Sequence, residues 1–331
     1  MKSTTKKILT LLALTMVAAI LLCSCATVKP DTELEIKISV LNGTTGFGAA
    51  KLISDAKAGE TLLNYSFTVE TDASNVTAGL INGSIDIAAL PTNAAATVYN
   101  KTEGKIKIAA VNTLGVLYLM VNGEKVTVES IKDLEGKTVY CPAQNPAFIF
   151  EAICRANGLI PGENITIDTA FAQPADLRTA LASGQVDVAV LPEPMVTIAK
   201  SANQALVTAL DLTDEWEKAY GEGSLAQGCI VVRTEWAEAH PKELEEFLND
   251  YKASVEYTVA NAKEASEIIV STGVFAGKAP VAEKALPNCN IVYMDGEAMV
   301  TALDTFFAKL AEINPAAVGG KTPDSGIYLE K

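Results

Sequence analysis

Leu80-Ile-Asn-Gly-Ser-Ile-Asp-Ile-Ala-Ala-Leu-Pro91 recurs 101 residues further on as Leu181-Ala-Ser-Gly-Gln-Val-Asp-Val-Ala-Val-Leu-Pro192, gap-free and identical at six of twelve positions. Each copy reads as a helix end, a glycine turn and a short apolar run of strand length. At the same offset the β-rich stretch 65–69 falls on 166–170, 35–41 falls on 136–142, and Phe47 falls on Phe148. A period this long indicates duplicated lobes and not a solenoid of short repeats.

Both copies carry the same succession of elements. A β-rich run (35–41; 137–141) leads through a Gly/Pro/Asn loop into an amphipathic helix (47–56; 147–157), then a second strand, a second helix, a glycine turn and a third buried strand (85–90; 186–191). Strands alternating with helices predict an α/β chain with a doubly wound, mainly parallel sheet in each lobe. In such sheets the ligand crevice lies beyond the carboxyl ends of the strands, so two lobes facing each other across those ends make a clamshell. A length of 331 residues also exceeds what one core usually serves.

The composition is that of a globular protein, 49% hydrophobic and 20% charged, which excludes collagen, a disordered tail and a disulfide-dense miniature. With 26 basic residues against 40 acidic ones and a net charge of −14, a nucleic-acid partner is disfavoured. His240 is the one histidine, which removes His-rich metal sites. Residues 1–7 carry Lys2, Lys6 and Lys7, and the apolar run 8–22 is shorter than the ~20 residues a membrane-spanning helix needs. It ends in Leu22-Cys23-Ser24-Cys25, which resembles the bacterial lipobox. That reading makes 1–24 a lipoprotein signal peptide, Cys25 the lipidated residue and 25–33 a tether, with the body exported and held at the outer face of the cell membrane or in the periplasm. The four remaining cysteines, Cys141, Cys154, Cys229 and Cys289, show no C-x-x-C, and pairing and free thiols both stay open.

The residues also support a family resemblance. Asp133-Leu-Glu-Gly-Lys137 before a strand, the two Gly-x-x-Asp-hydrophobic-Ala units, Glu193-Pro194, and Val231-Val-Arg-Thr-Glu-Trp-Ala-Glu-Ala-His-Pro241 opening a long helix together resemble a type II solute-binding protein of an ABC importer. The branch is that of the sulfonate, nitrate, taurine and thiamine-precursor receptors. The resemblance implies a receptor that closes on a small organic molecule or oxyanion and hands it to the membrane subunits of an ABC permease, with no cofactor, no metal and no catalysis. It implies a two-crossing hinge, near 114–119 and 227–232, between mixed, mainly parallel sheets. Lobe 1 would hold 34–117 and 231–331, and lobe 2 would hold 118–230. Two alternatives share this clamshell: an enzyme of the alternative menaquinone pathway type, and a receptor for a TRAP-TAXI transporter or a sensor. Neither G-x-S-x-G, H-E-x-x-H nor a Walker A loop is present.

The candidate ligand residues lie on the loops that follow the strands. Asn42-Gly43-Thr44-Thr45-Gly46 offers backbone N–H groups, hydroxyls and a helix N-terminus, while Gln144-Asn145 sits at the same place in the second copy. Thr92-Asn93, Thr113 and the Pro-flanked Glu193 complete the expected walls. Each of these side chains could instead serve as a helix cap. The expected loops contain Glu193 and Asp176 but no Lys or Arg, so an anion would rest on neutral donors and helix N-termini, and a neutral or amine-bearing ligand is at least as compatible. Phe47, Phe148 and Phe171 are expected in the core, and Asp86 and Asp187 are expected to fix turns.

Overall fold

The structure is a computed structural model that describes residues 29–330; the expected signal peptide 1–24 and Cys25 lie outside the described residues. Two mixed sheets with helices on their faces carry the fold. The first runs β11-β4-β10-β3-β1-β2, from β1 (Glu35–Leu41), β2 (Asn64–Glu70), β3 (Ile87–Pro91), β4 (Ile106–Thr113), β10 (Gly228–Arg233) and β11 (Ile291–Met294). The second runs β7-β6-β8-β5-β9, from β5 (Leu117–Asn122), β6 (Thr138–Tyr140), β7 (Thr166–Asp168), β8 (Val188–Pro192) and β9 (Leu206–Asp211).

The repeat is visible in the pairing. β1 pairs in parallel with β2 and β3, as β6 does with β7 and β8. The apolar runs Ile87–Leu90 and Val188–Leu191 are buried, as expected of strands with helices on both faces. Each half also lends one strand to the other sheet. β5 follows β4 in sequence yet lies antiparallel between β8 and β9, and β10 follows β9 yet lies antiparallel between β3 and β4. The chain therefore crosses between the sheets at 114–116 and again at 221–227. Gly115 is needed at the first crossing, because a Cβ there would stand 2.2 Å from Thr213 Oγ1.

Local chemistry shifts some expected boundaries. The third strands begin two residues later than their apolar runs, since the Ile85 N–H is turned back to the Gly79 carbonyl (3.2 Å) as part of the preceding helix end. The first helix is divided into Thr44–Phe47 and Ala50–Ala58 at Gly48, against which Tyr251 and Val255 press. Its counterpart Asn145–Ala156 is continuous, with Pro146 in the first turn. Asp86 and Asp187 sit at the strand ends remote from the crevice. Asp86 accepts from the Lys37 N–H and from Arg233 (both 3.0 Å), and Asp187 accepts from Lys125 (2.9 Å), so both tie neighbouring strands together. Cys141, Cys154, Cys229 and Cys289 are buried free thiols.

Candidate functional site

The loops after β1 and β6 set the two walls. Asn42 donates through its backbone N–H to the Glu70 carbonyl (2.8 Å), and its side chain donates to the Gly273 carbonyl (3.0 Å). In the second lobe the Ala143 N–H donates to the Ala172 carbonyl (3.1 Å). The first loop is thus pinned to the end of β2 and to the turn at Gly273, and the second to the loop after β7. Gly43 has φ 110 with open space where a Cβ would be, and Thr44 and Thr45 are half-buried beside it. Gly46 permits a close approach, as a Cβ there would lie 2.2 Å from the Leu41 carbonyl oxygen.

Below this loop runs a polar floor. Asn112 Nδ2 donates to the Thr45 carbonyl and to the Tyr251 hydroxyl (both 3.0 Å), and the Thr113 hydroxyl donates to Asn112 Oδ1 (3.1 Å). Thr92 is fully buried, its N–H bonded to the Gln227 carbonyl (3.0 Å), while its hydroxyl, beside the Cys229 thiol whose burial pushes its pKa up to about 12, has no hydrogen-bond partner among the described residues. Thr113, bonded to Asn112, braces the site from within the first lobe.

Two cavities open where the lobes meet. One, of about 560 Å³, brings Asn93 of the first lobe together with Gln144 and Phe148 of the second, alongside Ser74, Thr77 and Lys101. Asn93 Oδ1 is buried without a hydrogen-bond partner among the described residues, and so is Asn145 Oδ1 beside Gln144. Gln144 itself caps its helix at φ 66, ψ −128, a left-handed backbone that a non-glycine residue adopts under strain.

The other cavity, of about 600 Å³, is lined by Tyr118, Glu193, Thr197 and Lys200 of the second lobe and by Lys284 and Asn288 of the first. Glu193 is only 3% exposed, and its two carboxylate oxygens accept from the Thr197 N–H (3.1 Å) and hydroxyl (2.9 Å). The carboxylate thereby caps the helix Met195–Ala202. Burial raises its pKa, offset by the Thr197 bonds, the Asn288 side chain and the charge of Lys200.

The structure thus brings Asn93 and Gln144 into one cavity and puts Glu193 in another, while 42–46, Thr92 and Thr113 lie outside both linings. Lys101, Lys200 and Lys284 were not expected, because they reach the cavities from helix bodies and not from the loops that follow the strands. The i, i+4 spacing of Thr97 and Lys101 along the helix that carries Asn93 was the available signal. Phe47 is fully buried, whereas Phe148 and Phe171 are half-buried; Phe171 meets the Tyr140 ring at 5.8 Å. His240 stacks on Trp236 (5.3 Å) at the start of the helix Pro241–Ala260, in the first lobe.

Residues 63–265, more than half of the chain, match the family model described as NMT1/THI5 like. An ABC transporter protein from Parabacteroides distasonis is 26% identical, with a TM-score of 0.75 over 91% of this chain and 100% of that one. The periplasmic aliphatic sulphonate binding protein SsuA from Escherichia coli is 16% identical, with a TM-score of 0.71 over 90% and 92% of the two chains. The periplasmic nitrate-binding protein NrtA from Synechocystis PCC 6803 is 13% identical, with a TM-score of 0.60 over 87% and 86%. At these identities the last two establish a shared fold. No curated protein matches the sequence.

Proposed function

Because this chain belongs to the NMT1/THI5-like family and has the fold of ABC-importer binding proteins, we propose that it is an extracytoplasmic solute-binding lipoprotein. It takes a small organic molecule or oxyanion between its lobes and delivers it to an ABC permease. The observation that carries this reading is the cavity of about 560 Å³ with Asn93 on one lobe and Gln144 on the other, a volume suited to a small ligand. The moving lobes follow the two sheets, with hinges at 114–116 and 221–227.

A receptor and not an enzyme is supported by how the reactive side chains are used. The histidine packs on a tryptophan, and the buried thiols Cys154 and Cys229 are held protonated, with pKa values near 12. The ligand is held by amides, hydroxyls and helix N-termini, with the lysines at the rim. Cys25 carries the membrane anchor: Cys25→Ala is expected to release the protein into the medium or leave the precursor uncleaved, and normal lipid labelling of that variant would contradict the assignment.

The test of the function is a thermal-shift screen of the mature soluble chain against amines, pyrimidines, sulfonates and vitamins. A ligand that binds the native state raises the unfolding midpoint by linkage. A hit whose effect is lost in Asn93→Ala supports the reading; hits indifferent to Asn93, Gln144 and Asn145 contradict it.

A further inference from the structure

The C-terminal segment does not stay with the lobe from which it departs. It leaves the first sheet at the edge strand β11, turns at Asp295–Gly296, where Gly296 has φ 61, and forms the helix Gly296–Ile313. That helix seats on the second lobe. It contacts the helix Asn145–Ala156, Phe306 meets the Trp216 ring at 5.8 Å, and Lys309 Nζ lies 5.2 Å over the Tyr220 ring. Met299, Leu303, Phe306, Phe307 and Leu310 are buried in a cluster shared by both lobes, and Tyr220 donates to the Ala152 carbonyl (2.8 Å), which joins two helices of the second lobe; on its other side the helix touches β4, and its Asp304 accepts from the Tyr328 hydroxyl of the tail.

After Asn314 the chain returns to the first lobe. Asn100 Nδ2 donates to the Val318 carbonyl (2.7 Å) and the Lys321 carbonyl (2.6 Å), and the Tyr99 hydroxyl donates to Asp324 Oδ1 (2.5 Å). The Leu329 N–H donates to the Ile108 carbonyl (2.9 Å) on β4. Gly319 lets this tail lie directly on the helix Thr92–Thr102, since a Cβ there would stand 2.9 Å from Thr97 Cα.

We infer that residues 296–329 form a strap across the lobes, whose helix moves with the second lobe and whose tail moves with the first. The chain then passes between the moving bodies four times: at 114–116, at 221–227, at Asp295–Gly296 and at Asn314–Pro315. The strap restricts how far the lobes turn from the observed arrangement in either direction, because such a movement must flex both of its ends. The inference rests on the two-lobe reading but on no ligand, so it can fail while ligand binding stands.

Native-state hydrogen exchange of the mature chain carrying Cys25→Ser, in rising sub-denaturing urea, tests it directly. The expected result is that amides of 299–310 merge with those of 145–156 into one unfolding isotherm, while amides of 317–329 merge with those of 92–102. Trp216→Phe should then speed exchange in 145–156, 212–220 and 299–310 by a common factor and leave 317–329 unchanged. Merging of 299–310 with β4 and β10 would overturn the inference, as would one isotherm for the whole chain.

Discussion

Gly43 and Gln144, 101 residues apart, occupy the same turn at the heads of the two repeat-related loops, and both have positive φ, 110 and 66. Glycine takes that backbone without steric cost, while glutamine does so under strain, in a loop that lines the interlobe cavity. The proposed ligand contact accounts for a strained non-glycine residue at this cavity wall. Gln144→Gly is therefore expected to raise stability by about 1 kcal/mol, read as a higher urea midpoint, while weakening ligand binding. Lower stability would show that the Gln144 side chain supports the fold.

Asn93 presents a buried amide oxygen that no donor among the described residues meets. An unsatisfied buried acceptor costs on the order of 1–3 kcal/mol. Asn93→Ala should accordingly leave the unliganded chain as stable as before or more so, and reduce ligand affinity about tenfold, which is ~1.4 kcal/mol. Titration calorimetry and thermal unfolding of the same variant check both halves. A clear loss of stability with unchanged affinity would assign Asn93 to structure.

Glu193 has a folded-state pKa raised by burial. A carboxyl raised in the fold contributes stability that is fully present below its unfolded pKa and is lost as pH rises through its folded value. Glu193→Gln abolishes that loss, so the stability of the variant relative to the parent should increase from pH 4 to pH 7. Denaturation midpoints of the two proteins across this range measure it, and a relative stability that falls with pH would mean that the Thr197 bonds outweigh burial.

Gly46 has no room for a side chain, with the Leu41 carbonyl oxygen 2.2 Å and Val274 Cγ1 2.8 Å from a built Cβ. Gly46→Ala must displace backbone, and a destabilisation of about 2–3 kcal/mol is expected by analogy with overpacked cores. A midpoint within experimental error of the parent would mean that the loop 42–46 is freer than its hydrogen bonds to Glu70 and Gly273 imply.

The duplication was legible because strand-end residues repeat in type: Gly, Asp, Ala, Leu and Pro recur at fixed spacing around β3 and β8. The antiparallel pairing of β5 and β10 was not legible in their own residues, since Leu117–Asn122 and Gly228–Arg233 read as ordinary apolar strands and pairing partners are a property of long-range contacts; the two crossings beside them were implied by the family resemblance. Of the site, the positions of the loops could be read from the repeat, but the use of each side chain could not. Glu193 and Thr197 are four apart on the sequence, a spacing equally open to a cap or to a ligand contact, and the bonds to Thr197 supply the cap that this spacing allows. The strap escaped notice because the apolar face of 296–313 says that it is buried and not against which lobe.

The central claim is capture of a small molecule between two lobes that close on it. Small-angle X-ray scattering of the mature soluble chain, with and without a compound that raises its unfolding midpoint, measures this most directly. Hinge closure at 114–116 and 221–227 predicts a smaller radius of gyration in the bound state, with Asn93→Ala needing about tenfold more compound for the same change. An unchanged radius of gyration, with the compound bound and indifferent to Asn93, would contradict the account.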